Sequence, residues 1–127
     1  MNNQLVRTVC LILFAALCGA PPALSQKKRV TVHGDIVEIL SYVKEGIKPT
    51  SPAGKEIALS NLRKGGSLAI IEKGTNKVYI VSPSPADTAF TKTIQPYLGI
   101  RSFIKGTAYT RSGMRVIEIG DIGKSLK

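Results

Sequence analysis

The sequence predicts a mainly β fold, five strands closing as a small Greek-key barrel, with a helix between strands 1 and 2 and another between strands 3 and 4. Three observations predict it. Short β-branched runs recur between Gly, Pro and Asn breaks. Two segments of helical period, 52–64 and 86–98, fall between those runs. A single Gly34 interrupts the first run, as expected of a long strand that bulges or bends to pair on both sides of a barrel.

Taken in order, residues 29–40 form the first strand. Val30 and Val32 alternate with Thr31 and His33, and Ile36, Val37, Ile39 and Leu40 resume out of phase after Gly34. Residues 44–50, with Gly46 and Pro49, read as a linker. Ser51 as N-cap and Pro52 at the first helical position then open a helix over 52–64. Its apolar face is Ala53, Ile57, Ala58 and Leu62, and Lys64 with Gly65-Gly66 ends it. Strands follow over 67–72 and 77–82, joined by a turn through Gly74 and Asn76. Pro83 and Pro85 stop the second of these, since neither donates to a ladder.

The segment 86–98 places Ala89, Phe90, Ile94, Tyr97 and Leu98 at helical spacing and closes around Pro96. Strands over 101–110 and 114–122 meet at Arg111-Ser112-Gly113. Five strands with a helix between the third and fourth is the order of an OB-fold.

Ahead of this domain, residues 1–25 read as a secretory signal peptide: Arg7, an uncharged apolar run over 8–20, a break at Pro21-Pro22, and small residues at Ala23 and Ser25. The run of about 13 residues falls short of the about 20 that span a bilayer. The expected division is thus signal peptide 1–25 and one domain 26–127, exported to a periplasmic or extracellular compartment. Cys10 and Cys18 leave with the signal, so no disulfide, Cys metal site or Cys nucleophile is expected in the domain.

Removing Arg7 with the signal lowers 18 Lys+Arg to 17 against 8 Asp+Glu, a net +9. For an exported basic protein the expected partners are an acidic glycan, an anionic lipid surface or an acidic envelope protein, with nucleic acid ranked behind them. The cluster Lys27-Lys28-Arg29 reads as a solvated basic arm.

With the elements placed, the chain resembles a group of small exported bacterial OB-fold proteins, mostly of unassigned function. The resemblance is carried by Gly34-Asp35-Ile36-Val37-Glu38, by Gly65-Gly66-Ser67-Leu68-Ala69-Ile70-Ile71, and by a phrase running from Tyr97-Leu98-Gly99 through Gly106 to Tyr109. Gly113-Met114-Arg115 closes it, so that most of 30–122 is covered. These phrases imply a fold and no site. Many such relatives carry Cys after the first strand and before the second. Here Ser41-Tyr42 and then Ile57 and Asn61 stand there, so no thiol-dependent property is implied.

Reactive chemistry is thinly represented. His33 is the one imidazole, and zinc needs three or four convergent ligands, so His33 reads as a surface strand residue and no metal or cofactor is expected. Asp35 and Glu38, three apart on a strand, point to opposite faces. Ser41 to Lys44 matches a Ser-x-x-Lys pattern and Lys105-Gly106-Thr107 a scrambled partner motif, but those enzymes use a far larger two-part scaffold.

The richest constellation is a strand face. With Ser102, Ile104, Gly106 and Ala108 inward, Phe103, Lys105, Thr107, Tyr109 and Arg111 line up outward, two aromatics interleaved with cations. Lys77 and Tyr79 extend the set. Rings stack on sugars while cations hold anionic groups. The expected function is therefore a non-enzymatic binding module, with an accessory subunit of a membrane or envelope complex as the alternative.

Overall fold

The computed structural model describes residues 24–126; most of the expected signal peptide, with Cys10 and Cys18, lies outside them. Strand β1 (Gln26–Glu38) leads into helix α1 (Ile39–Glu45) and helix α2 (Pro52–Arg63). Strands β2 (Leu68–Glu72) and β3 (Val78–Ser82) follow, then helix α3 (Phe90–Ile94) with a 3-10 turn (Gln95–Tyr97). Strands β4 (Arg101–Arg111) and β5 (Met114–Lys124) end the chain. The strands form a closed barrel in the order β1-β2-β3-β5-β4.

One long strand closes that barrel. Residues Gln26 to Asp35 of β1 pair with β4, and Gly34 to Glu38 pair with β2, so Gly34 and Asp35 are flanked on both sides. No bulge interrupts β1 at Gly34, since both ladders run through it in register. Gly34 is instead a point of close approach, where a Cβ would collide with the Ile71 carbonyl. The register shift lies between β4 and β5: Lys105 pairs Asp121 while Gly106 pairs Ile119, which leaves Gly120 as the extra residue.

The basic arm is corrected too. Lys27, Lys28 and Arg29 are strand residues paired with Tyr109, Ala108 and Thr107. Pairing satisfies backbone groups that a long β4 would otherwise present as a bare edge.

The sequence predicts strand up to Leu40 and a linker from Lys44, but Ile39–Glu45 form α1 instead. The Glu38 carboxylate caps it by accepting from the N–H groups of Leu40 (3.1 Å) and Ser41 (2.8 Å), and Gly46 in the left-handed region (φ 65) closes it. A buried cap outweighs the β preference of Ile39 and Val43.

In α2 the Ser51 hydroxyl accepts the Gly54 N–H at 3.0 Å and Pro52 opens the first turn. Its buried face is Gly54, Ala58, Leu59 and Leu62, rotated from the expected Ala53, Ile57, Ala58 and Leu62. Gly54 sets the rotation, because it rests where a Cβ would strike the Lys48 carbonyl. The expected helix over 86–98 shrinks to α3 and its 3-10 turn, and Asp87 accepts the Ala89 N–H at 2.9 Å in a turn ahead of it.

One apolar cluster fills the interior. Val32, Ile36, Ile70, Ile104 and Ile117 point inward from the strands and meet Ala58, Leu59 and Leu62 of α2 with Ile94 and Leu98 of the α3 segment. Both helical segments therefore pack at the barrel end where β1 finishes, since Glu38 pairs Leu68 and Asp35 pairs Arg101 there. The other end carries the β2–β3 turn and the β4–β5 hairpin. That hairpin turns on Ser112 (φ 50) and Gly113 (φ 81), as a two-residue connection matched to strand twist requires.

Candidate surface on the outer face of strands 1, 4 and 5

β4 alternates as its sequence dictates: Ser102, Ile104, Gly106 and Ala108 are buried, while Lys105 and Arg111 are exposed and Phe103, Thr107 and Tyr109 half-buried. Register then decides what stands beside each of them. Across β1, Phe103 pairs His33, Lys105 pairs Thr31, Thr107 pairs Arg29 and Tyr109 pairs Lys27. Across β5, Lys105 pairs Asp121, Thr107 pairs Glu118 and Tyr109 pairs Val116. The face thus gains two cations, Lys27 and Arg29, and two carboxylates, Glu118 and Asp121, that the reading of β4 alone missed. The phase of Lys27, Arg29 and Thr31 against Val30 and Val32 was the local signal for the cations. The β5 carboxylates depend on the Gly120 irregularity and have no local signal.

The aromatic groups are held by neighbours. Lys27 Nζ lies 5.8 Å from the centroid of the Tyr109 ring, a cation–π geometry. Phe103 packs against the His33 ring with centroids 5.9 Å apart, over Gly123, whose missing side chain makes room for it. His33 Nδ1 in turn lies 2.9 Å from Ser125 Oγ. Between the two rings a depression of about 230 Å³ opens among Arg29, Val30, Thr31 and Lys105. Phe103 and Tyr109 are six residues apart, about 20 Å along an extended strand.

Lys77 and Tyr79 do not join this face. Tyr79 pairs Ile70 on the inward side of β3 and packs against the core. Lys77 sits at the base of the β2–β3 turn, where its carbonyl accepts the Glu72 N–H at 2.8 Å, beside a separate hollow of about 420 Å³ that also touches Val78, Ile80, Met114 and Arg115. That hollow exists because β3 and β5 pair only over Ile80 to Ser82 and diverge beyond.

The other candidates resolve into structural roles. Asp35 meets Arg101 at 3.3 Å in a partly exposed ion pair. Glu38, 4% exposed, accepts from the Ser41 hydroxyl (2.7 Å) and the Asn61 amide (3.1 Å) as well as from its two cap N–H groups. Burial pushes its pKa up, but the hydrogen bonds from Ser41, Asn61 and Leu40 outweigh burial and hold it below the ordinary carboxylate value. The Ser41 hydroxyl is thus engaged by Glu38 in a buried network, while Lys44 is exposed.

No family model, curated protein or solved structure matches the chain.

Proposed function

We propose that the chain is an exported, non-enzymatic binding module of OB-fold type that holds an acidic glycan on the outer face of β1, β4 and β5. The barrel order, with β1 shared between two ladders and β3 parallel to β5, supports the OB reading. The signal-like pattern of residues 1–25 supports export.

One observation carries the ligand class: Arg29 and Lys105 border a single depression, with the Phe103 ring toward one end of the face and the Tyr109 ring toward the other. Carboxylate or sulfate groups of a polysaccharide suit the cations, and sugar faces suit the rings.

The test is titration of polygalacturonate into the protein by calorimetry at rising NaCl. Wild type binds and weakens steeply with salt, because exposed charge pairs are screened. Arg29→Glu with Lys105→Glu weakens binding by at least about tenfold. Absence of binding, or a double variant that binds like wild type, defeats the reading.

A further inference from the structure

Helix α1 is amphipathic in the inverse sense. With about 100° between successive residues, Ser41 faces the protein, where it is buried. Val43 points nearly opposite, and Leu40 and Tyr42 flank it. Their exposures are 75% for Val43, 63% for Leu40 and 38% for Tyr42. The polar side chain is held inside by the Glu38 carboxylate, so the apolar three are presented outward on a fixed base. Lys44, exposed, follows Val43 in the helix, and the exposed Lys48 comes just after its Gly46 cap, while the exposed Glu45 lies about 160° around the helix from Val43.

What could cover such a patch is narrowed by its size and charge. It comprises three side chains of one short helix, whereas a stable protein interface engages about 20–30 residues on each side. A second copy of the exported domain, with 17 Lys+Arg against 8 Asp+Glu, would bring the same net charge of +9 against it. A bilayer surface requires no matching cavity: it accepts shallow apolar side chains, places a Tyr ring at headgroup depth, and offers phosphates to neighbouring Lys.

We infer that α1 docks the protein on an anionic lipid bilayer, with Val43 at the tip, Leu40 and Tyr42 beside it, and Lys44 and Lys48 at the lipid phosphates. Lys27 and Arg29 lie at the opposite end of β1, a strand of 13 residues that extends about 40 Å. The lipid contact is therefore separate from the proposed glycan face.

The chain contains no Trp, so Val43→Trp supplies a single reporter, and Met114→Trp, on the exposed hairpin at the other barrel end, supplies its control. On vesicles of phosphatidylcholine with phosphatidylglycerol, the Val43→Trp emission shifts to the blue and the Met114→Trp emission does not. Vesicle co-sedimentation of Leu40→Ser with Val43→Ser, checked for an unchanged melting curve, falls by at least about tenfold from wild type. An unshifted Val43→Trp, an equal shift at Met114→Trp, or wild-type sedimentation of the serine variant overturns the inference. None of these outcomes bears on glycan binding, which Arg29→Glu with Lys105→Glu reports.

Discussion

The Ser41 hydroxyl donates to the Glu38 carboxylate at 2.7 Å, closing a buried loop in which one acid caps α1 and joins it to Asn61 of α2. A carboxylate so held contributes stability only while ionised. Its folded pKa lies below the unfolded one, so the contribution is complete above the unfolded value of about 4.3. It is lost as pH falls through the folded value. Glu38→Gln is therefore expected to be less stable than wild type at neutral pH by about 1–3 kcal/mol. The gap between them narrows below about pH 4, as read by thermal melts across the pH range.

Asn61→Ala and Ser41→Ala each remove a donor to the same oxygen of that carboxylate. Each is expected to cost about 1–2 kcal/mol. The double variant will depart from additivity by at least about 0.5 kcal/mol, because the two donors share one acceptor. Urea denaturation of the cycle measures this, and strict additivity would show the network to be two independent contacts.

Gly34→Ala places a Cβ against the Ile71 carbonyl, in backbone that two ladders hold rigid. The expected loss is about 3 kcal/mol or more, because the obstruction is main chain and cannot swing away. Gly120→Ala, at the β5 irregularity, meets the Lys105 carbonyl at 3.3 Å and the Gly106 Cα at 3.8 Å, far looser contacts, and will cost less. Chemical denaturation midpoints separate the two.

On the proposed glycan face, Glu118 and Asp121 stand beside Thr107 and Lys105 and offset part of the positive charge. Glu118→Gln with Asp121→Asn is expected to tighten polygalacturonate binding about two- to fivefold at low salt, and the gain will fade at high salt. Tyr109→Ala will weaken binding while leaving the salt slope unchanged, because a ring contributes stacking and no charge.

Asp35 and Arg101 pair at 3.3 Å with side chains 25% and 39% exposed. Their contribution is expected to be small, and Asp35→Asn will cost less than about 1 kcal/mol by urea denaturation. A larger loss would show that the pair does more than decorate the barrel wall.

The sequence by itself determined the five strands, their alternation, the Ser51 cap, the Ser112-Gly113 hairpin and the outward phase of Phe103, Lys105, Tyr109 and Arg111. These are local properties, set by side-chain period and turn chemistry within a few residues. Tertiary structure alone decided that Lys27 to Arg29 form strand, that Gly34 is a contact point, and that the irregularity lies at Gly120. It also turned α2 onto Gly54, moved Tyr79 to the inner side and set Glu118 and Asp121 beside the cations. α1 lies between the two cases: Glu38 and Gly46 could signal a helix, but only burial against the rest of the protein makes that cap strong enough to override a β-branched run. The physical reason is common to these cases. Ladder register and buried hydrogen bonds join residues far apart in the chain, and local propensity carries no information about which distant partner will be there.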